Sequence, residues 1–229
     1  MIILKIVIFE PHPDDLLMGA GQIIFNWIEQ GHDIHIITVT DGRACYRKMK
    51  DDKTSEALKM TEDEIAIERL TEAKKSVEFL GLPSENLHLL KFPDAKAQDY
   101  IKEGIKTVIP IIKDVDRLLL PSDHNFHEDH QATHDIAIGA AKVLQLRNIE
   151  YWVYFVPQYG RFNKDSKNKL ITVKISEELR QKLTEWLQIY QSQKRMKNTW
   201  KLYTRYLKFT KEFIYGKYKY EDIGKFYNF

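Results

Sequence analysis

The sequence predicts an α/β fold: a doubly wound, mostly parallel sheet with helices on both faces. Three observations carry that expectation. Short runs rich in Ile, Val and Leu alternate with longer stretches of helical character. The runs are almost continuously apolar, the pattern of strands buried on both faces rather than one. Glycine, proline and aspartate stand at the ends of the stretches, where turns and helix caps are needed.

Ile2 to Phe9 is the first buried strand. Leu16 to Gln30 follows as a helix, with Gly31 where a C-cap glycine belongs. Ile34 to Thr40 is the second strand and ends in the turn Thr40-Asp41-Gly42. Cys45 to Ala57 is polar and without period, a surface loop. Thr61 to Leu80 reads as a helix, because Thr61 with Glu64 fits a capping box and Gly81 and Pro83 stop it. Leu87 to Leu90 is a short strand before the loop Lys91-Phe92-Pro93-Asp94, and Asp99 to Lys113 is a helix. Arg117 to Leu120 is a strand ending at Pro121. The loop Ser122 to Asp129 then feeds a helix from about His130 to Leu146, and Tyr151 to Val156 is a further strand. Strand and helix alternate as right-handed crossovers require, in a Rossmann-like doubly wound order. The character changes after Gly160, where a strand (Leu170 to Ile175), a helix (Ser176 to Gln193) and a Lys/Tyr-rich end follow.

With 229 residues, 43% of them hydrophobic, the chain can bury one sizeable core. Residues 1–229 are read as a single domain, with 161–229 as a C-terminal extension packed on it. The net charge of +2 gives no strong field for nucleic acid or anionic membranes. Cys45, the single cysteine, excludes an internal disulfide and fits a reducing cytoplasm. The apolar opening is too short for a signal peptide and is followed by Glu10, His12 and two aspartates. No stretch reaches the ~20 apolar residues of a membrane span. The sequence leaves a homo-oligomer open.

Chemistry concentrates in two loops. His12, Asp14 and Asp15 follow the first strand, and three histidines lie between His124 and His130 after the Arg117 strand. In open α/β sheets, ligands bind beyond the carboxyl ends of strands. Two donor-rich loops at one sheet edge can converge on one ion, with three protein ligands and an open position for water. Pro13 stiffens the turn between His12 and Asp15. His127 and His130 stand at i and i+3, on one face of a helical turn.

At these residues the sequence resembles the LmbE-like, or PIG-L-type, de-N-acetylase family. His12-Pro13-Asp14-Asp15 matches the family's first signature, and His127-Glu128-Asp129-His130 its second. Arg69-Leu70-Thr71-Glu72-Ala73 is similar to its Arg-x-x-Glu helix, Phe92-Pro93-Asp94 to its substrate-side loop, and Tyr190-Gln191-Ser192-Gln193 to its C-terminal Tyr-x-Ser-Gln segment. The resemblance implies a zinc-dependent hydrolase removing the N-acetyl group of a GlcNAc-type sugar. It implies His12, Asp15 and His130 as metal ligands and Asp14 as general base. His127 would polarise the oxyanion or protonate the leaving amine, with Asp129 holding it in its charged form. Arg69 and Asp94 would contact the sugar. Asn125 stands where some members carry Tyr and is placed on the substrate side. Zinc suits the His/Asp set, and ferrous iron accepts the same donors. The rival readings are a carbohydrate- or lipid-binding protein with a vestigial metal site, and a metal-dependent phosphoesterase.

Among the remaining histidines, His32, His35 and His88 read as structural, His134 as packed or exposed, and His124 as either a support behind the metal ligands or a pocket wall. Gln191 to Tyr220 carries nine Lys/Arg and one acid, Glu212, with Trp200, Tyr203, Tyr206, Phe209 and Phe213 recurring every three or four positions. That spacing predicts a helix burying its aromatic stripe against the domain, in preference to a surface for anionic lipid, nucleic acid or a phosphorylated sugar.

Overall fold

The computed structural model describes residues 2–47, 52–122, 125–156 and 170–222. His124 and the stretch around Gly160 lie outside the described residues. Five parallel strands form the heart of the sheet: β1 (Lys5–Glu10), β2 (Asp33–Thr40), β3 (Leu87–Phe92), β4 (Arg117–Pro121) and β5 (Glu150–Tyr154). Two more strands, β6 (Leu170–Lys174) and β7 (Glu212–Tyr218), complete one seven-stranded sheet in the order β3-β2-β1-β4-β5-β7-β6. β7 runs antiparallel to both of its neighbours. The sheet is therefore mostly parallel, as the continuous apolar runs predict.

Strand alternation divides the core in two. Ile6 and Ile8 of β1 face one cluster, and Val7 and Phe9 face the other. The first cluster is covered by α1 (Gly21–Glu29), α2 (Glu62–Phe79), α5 (Glu177–Leu187) and α7 (Lys197–Phe209), through Trp27, Val77, Trp186, Tyr203 and Leu207 among others. The second lies under α3 (Ile101–Ile112) and α4 (Glu128–Val143). The capping box at Thr61 and Glu64 forms as the sequence predicts, and Gly81 takes the left-handed conformation that ends α2 (φ 68°).

Four elements differ from expectation. The helix after the first loop opens as a π-helical turn, Leu16–Ala20, before α1 begins. Buried Glu10 receives the Leu16 N–H at 2.8 Å and the Thr38 hydroxyl at 2.6 Å, so it ties the end of β1 to this turn. The helix expected over Ser176 to Gln193 breaks after Leu187 and resumes as α6 (Gln191–Lys194). The break lets Tyr190 and Ser192 turn inward. The Tyr190 hydroxyl meets that of Ser76 at 2.7 Å, and Glu72 receives both the N–H (2.7 Å) and the hydroxyl (2.6 Å) of Ser192. The two outlying segments of the family resemblance thus meet each other. The loop expected at the surface is partly buried, because Tyr46 donates its hydroxyl to the Ser192 carbonyl at 2.8 Å and Asp52 receives the Asn198 N–H. Finally, the aromatic stripe spans two elements. α7 ends at Phe209, and β7 follows with Phe213 and Tyr215 buried and Ile214 exposed. That two-residue alternation is a strand's, and it is masked by the helical spacing upstream.

Gly19, in the π-helical turn, lies against the ring of Tyr154, whose hydroxyl donates to the Phe9 carbonyl at 2.8 Å. A Cβ at this position would stand 2.2 Å from that ring, and the hydroxyl contact keeps the ring from yielding. Gly19→Ala is expected to destabilise the fold by about 1–3 kcal/mol in chemical denaturation; unchanged stability would refute this packing. Burial pushes the Glu72 carboxyl up to about 7, against the ordinary 4.5. The folded chain then keeps that proton over a range where the unfolded chain releases it, so this group weakens the fold as pH rises from 4.5 through 7. Urea midpoints of the native chain should fall relative to Glu72→Gln between pH 5 and pH 8, whereas parallel curves would remove the burial argument.

Candidate active site

The strand order reverses between β1 and β4, which leave in opposite directions along the sheet. The crevice at such a switch point is where open α/β sheets bind ligands. The loops after β1 and β4 both open into it. The first is a tight turn: the Asp15 N–H donates to the His12 carbonyl at 3.0 Å, and the His12 N–H donates to Asp15 Oδ2 at 3.0 Å. The second loop ends at His127, the N-cap of α4, whose ring Nδ1 receives the Asp129 N–H at 3.3 Å. α4 therefore starts two residues earlier than the sequence predicts. His127 and His130 do not share a helical face, because His127 has extended backbone.

His12, Asp15 and His130 come together. Asp15 Oδ2 lies 2.9 Å from His12 Nδ1 and 3.2 Å from His130 Nε2, and all three residues are buried. Donors at zinc-like bond lengths around a tetrahedron stand ~3.3 Å apart, so these atoms need little movement to share an ion. A second group able to hold a metal uses the other side of the same imidazole. His12 Nε2 lies 3.1 Å from Asp129 and 3.3 Å from Asp94, with His127 alongside. The carboxylates of this second group already hold backbone donors. Asp129 receives the N–H groups of Ala95 (2.7 Å) and Ala97 (3.0 Å), and Asp94 receives that of Ala44 (3.0 Å). Ala95 adopts a left-handed backbone (φ 65°), a conformation that costs a non-glycine residue about 1–2 kcal/mol and that aims its N–H at Asp129.

Asp14 points elsewhere. Its Oδ1 pairs with the Arg69 guanidinium, and its Oδ2 receives the Tyr203 hydroxyl at 2.9 Å. Arg69 is buried, and it also donates to the Gly42 carbonyl. Asn125 is buried too. Its side-chain amide hydrogen-bonds His130 Nδ1 at 3.1 Å, and its oxygen receives the His127 N–H at 2.9 Å. Asp41 receives the N–H groups of Arg43 (3.1 Å) and Asp94 (3.3 Å), which organises the turn.

The electrostatics are lopsided. Four aspartates, 14, 15, 94 and 129, are each at most 5% exposed, and Arg69 is the one buried arginine or lysine among the described residues that pairs with any of them. Burial opposes the charged form of His12, yet Asp94 foremost, with Asp129 and Asp15, holds its pKa well above the ordinary value. Burial likewise opposes ionisation of Asp15, but His130 and His12 hold it ionised far below the usual carboxylate range. His127 goes the other way. Burial, then the neighbouring His12 and His130, lower it to about 4. Its side chain is the most open of the cluster at 29%, and the adjacent Phe126 is almost wholly exposed, so this side faces solvent.

The nine residues singled out in the sequence all gather at this edge, with altered neighbours. Asp129 stands 4.0 Å from His127 Nδ1 and engages His12 and the 95–97 backbone more closely. Arg69 and Asp94 contact Asp14 and His12, respectively, and Asn125 contacts His130. The sequence does not mark Tyr203 as a site residue. Its place in an aromatic stripe reads as core, and nothing local distinguishes its hydroxyl. His35 and His88 pair at 3.2 Å away from the cluster, and His134 is packed.

The sequence profile described as GlcNAc-PI de-N-acetylase (PIG-L) matches residues 7–141. Over 149 residues the chain is 30% identical to the diacetylchitobiose deacetylase of Thermococcus kodakarensis, covering 63% of this chain and 51% of that protein. The chain thus spans about half the length of that relative. It is 24% identical over 176 residues to an uncharacterized deacetylase of Escherichia coli, covering 72% of this chain and 83% of that one. The fold is shared with N,N'-diacetylchitobiose deacetylase from Pyrococcus horikoshii (TM-score 0.71, 19% identity, 96% of this chain and 86% of the other). It is also shared with the zinc-inhibited form of teicoplanin deacetylase (TM-score 0.67, 14% identity, 93% and 97%). With its matched core holding both donor loops, the chain belongs to the PIG-L family of GlcNAc-PI de-N-acetylases.

Proposed function

We propose that the protein is a zinc-dependent hydrolase that removes the N-acetyl group from a GlcNAc-type sugar conjugate. The observation that carries this reading is the convergence of His12 Nδ1, Asp15 Oδ2 and His130 Nε2, from two loops, at one buried point of the switch crevice. Four buried aspartates against Arg69 and one imidazole shared by three of them favour a divalent cation there, because buried charge needs close compensation. The donor set is the His/carboxylate type that suits zinc, and ferrous iron accepts it as well. The second group is the weaker candidate, since its Asp129 takes two backbone N–H groups, against the single one at Asp15. Asp129 then serves as the outer partner that orients His12 through Nε2, a common arrangement for metal-binding imidazoles.

Bound there, zinc would supply Lewis acidity and lower the pKa of a coordinated water to ~7. The chain supplies the rest. Asp14, next to Asp15 in sequence, accepts the proton of the attacking water and passes it to the leaving amine nitrogen as the C–N bond breaks. Arg69 pairs with Asp14 and holds one of its oxygens. His127 receives the Asp129 N–H at Nδ1, so its neutral ring carries the proton on Nε2. That N–H donates to the carbonyl oxygen as it gains charge. This favours oxyanion stabilisation over Asp129-held protonation as the role of His127, because Asp129 is turned to His12. The open side at His127 and Phe126 admits the sugar, and Asn125 steadies His130 from behind. In this reading residues 1–229 act as one unit on a small-molecule substrate, in the cytoplasm. No helix among the described residues is long and apolar enough to cross a membrane.

Metal analysis of the purified protein should give one zinc or iron per chain, falling to near zero in His130→Ala. A full complement of metal in that variant would displace the ion from this site. Acetate release from N-acetylglucosamine and diacetylchitobiose should be abolished by a chelator and restored by zinc. Asp14→Asn should keep its metal and lose about 10²–10⁴-fold in kcat. Native turnover in Asp14→Asn would remove this residue from the chemistry, and phosphate rather than acetate release from phosphorylated sugars would replace the whole reading.

A further inference from the structure

We propose that Tyr203, on the C-terminal helix α7, is a positioning residue that fixes the Asp14 carboxylate for proton transfer. The inference rests on the proposed role of Asp14 and extends the site beyond residues 7–141, the span of the family match. Asp14 has two oxygens, and separate segments hold them. Arg69 of α2 holds Oδ1, and the Tyr203 hydroxyl donates to Oδ2 at 2.9 Å. A carboxylate pinned by one donor still turns about its side-chain bonds. With two donors from helices 189 and 55 residues away in sequence, its plane is set. A general base must lie within hydrogen-bond reach of the proton it takes, about 2.6–3.2 Å. A misplacement near 1 Å can cost ~10²-fold in rate.

The tyrosine cannot easily move aside. Its side chain is 2% exposed, Leu207 one turn later is equally buried, and Trp200 and Tyr206 pack against the same core cluster. The start of α7 is fastened by the Asn198 N–H to Asp52 and by the bridge between Lys53 and Met196. Arg69 supplies charge, whereas Tyr203 supplies direction alone, since a neutral phenol adds one donor and no net charge. The hydroxyl leaves Oδ2 with a free lone pair, so the proton of the attacking water still has an acceptor on the same carboxylate. Helix α7 is therefore part of the site and not merely a cover for the sheet.

The test compares the native chain, Tyr203→Phe, Asp14→Asn and the double variant, all zinc-loaded, on an N-acetylated glycoside that the native chain cleaves. Rates are taken per metal-loaded molecule, and thermal midpoints are recorded with and without chelator. Tyr203→Phe should keep its metal and a KM within about twofold, with kcat lowered about 10–100-fold. In the Asp14→Asn background the same change should cost almost nothing more, because the two side chains act as one unit. A merely structural tyrosine would lower the midpoint yet leave kcat per loaded molecule intact, and that result overturns the proposal. So does a full additional loss in the double variant, which would give Tyr203 a role independent of Asp14. If the native chain cleaves no N-acetyl sugar, the functional reading fails first. The Tyr203–Asp14 contact then stands or falls on the chelated midpoints: losses from Tyr203→Phe and Asp14→Ala should be non-additive, and additive losses refute it.

Discussion

Four aspartates lie out of water at one edge of the sheet, and most other features of the site answer to them. A buried carboxylate is tolerated only where cations or N–H donors replace its water. Each of the four finds its own combination of partners. Asp14 has Arg69 and Tyr203, Asp15 has His12 and His130, Asp94 has His12 and a backbone amide, and Asp129 has His12 and two backbone amides. His12 is common to three of the four, which explains its raised pKa. One imidazole shared by three acids is poorly balanced for neutral pH, and the divalent ion proposed at Asp15 would relieve the imbalance.

The fold was largely legible in the sequence because parallel sheets demand continuous apolar runs, and these runs are long and clean here. The first five strands and the helices between them follow that rule. The end of the chain does not. β7 enters the sheet between β5 and β6, out of sequence order, and no local pattern announces a strand that pairs with partners so distant. The aromatic stripe likewise gives the period of a helix but not the point where it stops. The turn of Tyr190 and Ser192 towards α2 depends on Ser76 and Glu72, more than 110 residues away, which no window over that segment can reveal.

At the site, residue identity was easier to read than residue partnership. The two histidine motifs mark two loops that converge, and their donor atoms lie close together. Spacing does not decide which carboxylate meets which imidazole. Asp129 is adjacent to the histidine loop in sequence, yet Ala95 and Ala97 capture it from the neighbouring loop. Arg69 looks like an exposed helix residue by pattern, yet the pull of Asp14 keeps it in the interior. Tyr203 is the extreme case: its ring belongs to the core, and its hydroxyl belongs to the site.

The central claim is that two imidazoles and one carboxylate, drawn from two loops, surround a single cation and leave a position open. X-ray absorption spectroscopy of the zinc-loaded protein tests this most directly. The expected spectrum has a first shell of nitrogen and oxygen only, with outer-shell scattering from two imidazoles and a coordination number of four or five. A sulfur neighbour, or scattering from three imidazoles, would place the metal elsewhere in the cluster and contradict the assignment.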